Sequence, residues 1–182
     1  EVCMAHRPED VRNVAFVGAG GSGKTTLVEA LLHVSKTTKR LGSVPEKNTV
    51  SDWDEDERER QHSIFATPVH LTWEGKRIHL IDSPGALDFL GEAVLALSAV
   101  DVAAICVNAH DGVGVATRRA YKEVREMGLP CCIIITRVDA DNVDGDELLG
   151  SIQQTFGDCA VPMNLPDTYG SGISQVVDLF GE

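Results

Sequence analysis

Gly18-Ala19-Gly20-Gly21-Ser22-Gly23-Lys24-Thr25 fits the spacing G-x-x-x-x-G-K-[ST]. Glycines let a backbone wrap a chain of phosphates with its N–H groups inward, and a following helix presents its positive end. Lys24 has the reach to meet the outer phosphates, the Thr25 hydroxyl can ligate Mg2+, and Thr26 follows in the same turn. The stretch also fits G-x-G-x-x-G through Gly18, Gly20 and Gly23. A dinucleotide fold needs a second strand ending in an acid about 20 residues on. The zone Thr38 to Glu46 has no strand pattern, and Lys24-Thr25 would have no task there. A phosphate loop is therefore expected.

Two acids stand at matching distances. Asp82 lies 58 residues after Lys24 and opens Asp82-Ser83-Pro84-Gly85-Ala86, directly after the run His79-Leu80-Ile81. An acid there can hold a metal through water. Gly85 can offer its N–H to a terminal phosphate with no side chain in the way, so loss of that phosphate would release the segment after it. Asp139 closes Thr136-Arg137-Val138-Asp139, 57 residues after Asp82. A carboxylate there can accept two hydrogen bonds from guanine N1 and its N2 amine, a donor pair that adenine lacks. Taken alone, an Asp after a strand is more often a turn former or helix cap. A P-loop ATPase or kinase is the competing enzyme class, and Asp139 argues against it.

These residues need elements to hold them. Asn13–Val17 is an apolar run ending at Gly18, and Lys24–Val34 has helical spacing with Leu27, Ala30, Leu31 and Val34 on one face. Ser35–His62 is 28 residues with no core pattern and many acids, room for a helical turn or two. Loops beyond about 12–15 residues are usually functional or mobile. Ser63–Trp73 and Lys76–Ile81 read as a hairpin across Glu74-Gly75. Asp88–Val100 reads as a helix with Leu90, Val94 and Leu97 aligned, and Val102–Val107 as a buried strand. In Ala116–Met127, Ala116, Ala120, Val124 and Met127 face inward, with Arg118, Arg119, Lys122 and Arg125 outward. Cys131–Ile135 reads as another buried strand and Glu147–Phe156 as a helix. Alternating strands and helices predict an α/β fold, a three-layer sandwich of the P-loop NTPase kind. Its sheet is mostly parallel with one antiparallel hairpin edge. Ligands of such sheets sit beyond the strands' carboxyl ends, where Gly18, Asp82 and Thr136 fall.

The 182 residues suit one domain, and 43% apolar with 24% charged residues is a globular mix. A net charge of −12 opposes direct nucleic-acid binding by this chain. No apolar run is long enough for a membrane span. Cys106, Cys131 and Cys132 lie in apolar runs and read as small buried hydrophobes of a reducing compartment.

The order and spacing of these motifs resemble the G domain of translational GTPases, particularly the elongation factor G-like group. The resemblance covers about residues 12–180. Beyond the motifs above it includes Asn13, Gly42-Ser43, Asp52 to Ile64, Asp101 and Asp111-Gly112-Val113. Tetracycline-resistance ribosomal protection proteins are a close second family. The resemblance implies a flexible lead-in over 1–11 and a G domain over 12–182. The Gly172 to Leu179 stretch would begin an inserted subdomain, and the chain reads as a fragment of a longer protein. It implies GTP and GDP as ligands, hydrolysis with Mg2+ held by Thr25, Ser63 and Asp82, and Lys24 and Gly85 as catalytic groups. It also implies the ribosome as partner and a cytoplasmic location. Ser63, ending Glu59-Arg60-Gln61-His62-Ser63, takes the place of a metal-sensing switch threonine.

Four departures from that pattern stand out. Ala86 replaces the histidine that orients the attacking water in the family, a group worth about 10²–10⁴ in rate. Slow hydrolysis, or a nucleotide switch with little hydrolysis, would follow unless another group serves. His62, nearby, reads as merely exposed. Gly21 stands where the family carries Asp. Thr136-Arg137 replaces Asn-Lys: Arg137 can still stack on a purine, but Thr136 lacks an amide's paired donor and acceptor, which puts a bond to base or phosphate loop in doubt. Lastly, the Ser-Ala-type loop that closes on guanine is expected beyond this chain.

Overall fold

The apolar runs of the sequence line up as neighbours in one sheet. The computed structural model describes residues 6–181, so the first five residues of the expected lead-in lie outside it. Five strands form the sheet: β1 (Val11–Gly18), β2 (Thr67–Trp73), β3 (Lys76–Asp82), β4 (Val102–Asn108) and β5 (Cys131–Thr136), in the order β2-β3-β1-β4-β5. β1 runs parallel to β3 and β4, β4 parallel to β5, and β2 antiparallel to β3. This is the predicted α/β architecture. Register aligns Phe16 with Asp82, Gly18 with Cys106 and Asn108 with Thr136. The three motif-bearing strand ends therefore meet along one rim.

Helices α1 (Lys24–Val34), α2 (Glu55–Arg60), α3 (Leu90–Ser98), α4 (Val115–Glu126) and α5 (Gly145–Phe156) complete the main body. One face of the sheet, through Ala15, Val17, Ile105 and Val107, packs on Leu97 of α3, Val124 of α4 and Ile152 of α5. The other, through Phe16, Leu80 and Cys106, packs on Val28 and Leu32 of α1. β4 is covered on both faces, which explains its unbroken apolar run. Each fully buried Val or Leu contributes roughly 1.5–3 kcal/mol. Across the strand starts, Asn13 donates to Asp101 through its amide side chain (3.0 Å) and its backbone N–H (3.2 Å). A short hairpin of β6 (Asn164–Pro166) and β7 (Val176–Asp178) forms a second sheet in the region read as the start of an added subdomain.

Several local expectations are corrected. The buried side of α1 carries Val28, Glu29 and Leu32, and Val34 is 62% exposed. A buried carboxylate on that side broke the apolar spacing. On α4, Thr117 is buried and Met127 exposed, because the helix ends at Glu126. β2 starts at Thr67, since the N–H groups of Ile64, Phe65 and Ala66 are taken by the carboxylates of Glu57 and Glu92. α3 starts at Leu90, after a 3-10 turn over Leu87–Phe89. Along α3, Ala93 and Ala96 are buried with Leu97, while Leu90 and Val94 are only half-buried. β5 is half-buried, and Cys131 and Cys132 are exposed. Among the described residues it pairs on one side only, with β4. Cys106 is buried as expected, and burial pushes its thiol up to about 12.

Candidate functional site

At the end of β1 the chain turns sharply into α1. A Cβ at Gly18 would strike the Cys106 carbonyl oxygen of β4, so the turn begins where only glycine fits. The Lys24 ammonium folds back into the turn and donates to the carbonyls of Gly18 (3.0 Å) and Ala19 (2.8 Å). It is buried, and desolvation holds its pKa below the usual lysine value, partly offset by Asp82.

β3 delivers Asp82 under α1. The Thr25 hydroxyl donates to Asp82 Oδ2 at 2.8 Å, and the Ser51 hydroxyl donates to the same oxygen at 2.8 Å. Asp82 is 1% exposed, and burial pushes its pKa up to about 6 against those hydrogen bonds and Lys24. Its Oδ1 is buried with no partner. Beyond it, the Ser83 hydroxyl donates to the Phe16 carbonyl (2.6 Å) and Pro84 is buried, so both set the path of the backbone. Gly85 then lies flat on the phosphate loop. A Cβ there would meet Gly20 N, the Ala19 carbonyl carbon at 2.5 Å and Lys24 Nζ at 2.6 Å.

The long segment after α1 is strapped down by carboxylates. Glu29 of α1 accepts from Gly42 N (3.1 Å) and Val50 N (2.6 Å). Glu57 of α2 accepts from Ile64 N (2.8 Å) and Phe65 N (3.0 Å) through one oxygen and from Asp54 N (3.2 Å) through the other. Both acids are 1% exposed. Asp52 accepts from Thr49 (2.9 Å) and Ser63 (2.8 Å), and Ser63 Oγ lies 3.3 Å from Thr25 Oγ1. Neither Glu29 nor the hydroxyls of Thr49 and Ser51 stand out in sequence. The only signal was an acid breaking an apolar face and a polar cluster directly before α2.

These groups border a cleft of about 430 Å³. Its lining includes Gly20 to Thr26 of the phosphate loop and α1 (Ser22 excepted), Gln61, His62 and Ser63 after α2, and Gly85, Ala86 and Arg137. Gly18, Ala19 and Ser22 do not line it, and Ser22 Oγ is buried and unpartnered. The Thr136 hydroxyl donates to the Ser22 carbonyl at 2.8 Å. The doubtful bond to the phosphate loop is therefore made, by the threonine's one donor. Asp139 is exposed and does not line the cleft. A shallower hollow of about 480 Å³ beside Asn142–Gly145 and Tyr169 offers neither a cation nor a phosphate-wrapping turn.

Thr25, Ser63 and Asp82 suit a magnesium ion. Two hydroxyls converge beside a buried carboxylate that has one free oxygen. Among the described residues no three His, Cys, Asp or Glu side chains cluster to hold a metal by themselves. Magnesium bound to phosphates needs only one or two protein groups.

The sequence pattern of the "Elongation factor Tu GTP binding domain" matches residues 9–177. An "Elongation factor G-like protein" of Mycobacterium tuberculosis is 40% identical over 166 residues, 91% of this chain and 23% of that protein. "Elongation factor G 2" of Streptomyces coelicolor is 33% identical, covering 93% of this chain and 25% of its own. "Peptide chain release factor 3" of Streptococcus gordonii is 29% identical over 94% of this chain and 34% of its own. A crystal structure of a Thermus thermophilus protein superposes with a TM-score of 0.88 at 37% identity, covering 93% of this chain and 25% of that one. The chain thus spans about a quarter of the length of the elongation factor G relatives it matches.

Proposed function

The chain belongs to the elongation factor Tu GTP-binding domain family, and from that premise we propose that it is the G domain of an elongation factor G-like translation factor. In this reading it binds GTP and, with Mg2+, hydrolyses it to GDP and phosphate. The observation that carries the reading is the Lys24 ammonium resting on two loop carbonyls, one residue from the Thr25–Asp82 pair. Those carbonyl bonds are ones that phosphate oxygens can replace with stronger, charge-assisted ones.

The backbone N–H groups of residues 18–23 hold the phosphate chain, and Lys24 neutralises charge on its outer two members. Thr25, Ser63 and Asp82 would hold a bound magnesium ion, which would supply positive charge to the phosphate oxygens. Thr26 serves the same helix turn. Gly85 presents its N–H toward the terminal phosphate, and Ser83, Pro84 and Ala86 set that segment's course. Thr136 fixes the loop, Arg137 covers the purine, and Asp139 selects guanine. Water attacks in line: its oxygen bonds the γ-phosphorus, the bond to the bridging oxygen breaks, and the proton leaves with the phosphate product. The ribosome is the activating partner of the intact protein, which places it in the cytoplasm. No helix among the described residues is long and apolar enough to cross a membrane.

Calorimetry with GDP, GTP and ATP, with and without Mg2+, tests the site. The expected result is binding of both guanine nucleotides, Mg2+-dependence for GTP and no heat with ATP. Equal affinity for ATP would remove Asp139 as base selector. GTP cleavage by the intact protein should rise with added ribosomes, and no rise would end the translation-factor reading.

A further inference from the structure

Hydrolysis of a bound triphosphate is helped by an acceptor beside the terminal phosphate that holds a water's hydrogen while its oxygen points at phosphorus. Ala86 lines the cleft and its methyl cannot do this. Most other polar side chains there are committed. Asp52 already accepts from Thr49 and Ser63, the Ser63 hydroxyl is bound to Asp52, and Lys24, Arg60 and Arg137 are cations with no acceptor. Thr26 belongs to the first turn of α1, directly after the phosphate loop. Gln61 and His62 remain.

The backbone singles out His62. Gln61 ends α2 in a left-handed conformation (φ 55°), and His62 N donates back to the Glu57 carbonyl at 3.2 Å. Directly after His62, the Glu57 carboxylate grips the N–H groups of Ile64 and Phe65. His62 is thus rooted between two fixed points, next to Ser63, whose hydroxyl is 3.3 Å from that of Thr25. Its exposed side chain lines the same cleft as Gly85 and Ala86.

We propose that His62, which lines the same cleft as Ala86, orients the attacking water in place of the missing histidine. An imidazole nitrogen accepts a hydrogen of the water as the water oxygen bonds the γ-phosphorus and the bridging bond to GDP breaks. The proton finishes on phosphate. The inference rests on the GTPase reading above and deepens it.

The test compares wild type, His62→Ala, His62→Gln, Gln61→Ala and the double variant His62→Ala/Ala86→His, using the intact protein with saturating ribosomes. Three quantities are read: single-turnover GTP cleavage, GDP affinity by calorimetry, and uptake of aluminium fluoride by the GDP complex. His62→Ala should slow cleavage by about 10²–10⁴-fold and lose aluminium fluoride uptake, with GDP affinity unchanged. His62→Gln should retain part of the rate, and Ala86→His should restore it in the His62→Ala background. Unaltered cleavage in His62→Ala overturns the proposal, as does a loss that follows Gln61→Ala instead. A His62→Ala variant that loses GDP affinity in step with rate shows a structural role and also overturns it. Wild type that binds GTP but never cleaves it removes the hydrolysis reading itself, and this proposal with it.

Discussion

Burial makes Asp82 harder to ionise than a free aspartate. Burial raises its folded-state pKa to about 6 from an ordinary value of 3.8. The folded chain therefore holds this proton more tightly than the unfolded chain, and stability from this group falls as pH rises from about 4 to about 6. Asp82→Asn removes that dependence. The variant's stability relative to wild type, read from urea midpoints without Mg2+ or nucleotide, should improve as pH is raised from 4 to 7. A difference that stays constant across that range would show that Asp82 is not strained by burial. The same residue should make the protein gain stability, read from the same urea midpoints, when Mg2+ and nucleotide are added, because the unpartnered Oδ1 then has a cation nearby. At this scale the sequence was most readable where chemistry demands one residue type. The phosphate loop, Asp82 and Gly85 are conspicuous because few residues tolerate their geometry. Thr136 was harder to read, since one hydroxyl replaces an amide and only the position of the Ser22 carbonyl shows that a single donor suffices.

The segment joining α1 to β2 is long, yet its middle is tied to the body by Glu29. Both oxygens of that acid take backbone N–H groups from opposite ends of the stretch between Gly42 and Val50. Hydrogen bonds to a charged group contribute about 1.5–3 kcal/mol each. Glu29→Ala removes two such bonds and should therefore cost about 3–6 kcal/mol in chemical denaturation. It should also speed amide exchange across residues 42–50 while leaving β4 protected. Equal protection in that stretch would show that the strap is dispensable. Helical periodicity could not reveal this device. A buried Glu in α1 reads as a surface residue, and it displaced the expected apolar face toward Leu27, Leu31 and Val34. β5 misled for a related reason. Cys-Cys-Ile-Ile-Ile is as apolar as the covered strand β4, and composition alone does not distinguish a strand with two neighbours from one with a single neighbour.

Across the whole molecule, the order of elements and the rim where the motifs meet were legible, because parallel strands impose both continuous apolar runs and a common ligand edge. Depth was less legible. Three helices cover one face of the sheet and, among the described residues, α1 alone covers the other, so side chains of similar type differ in burial. That asymmetry bears on how the protein behaves in a tube. Among the described residues the outer margin of β5 pairs with no strand, so its row of amides and carbonyls is open there; Cys131 and Cys132, the strand's first two residues, are exposed, and the strand holds no charge or proline to repel a copycat. A second molecule laid alongside would satisfy that row. Light scattering should show particle mass climbing with concentration, and Cys132→Lys, a gatekeeper charge at an exposed position, should flatten the climb.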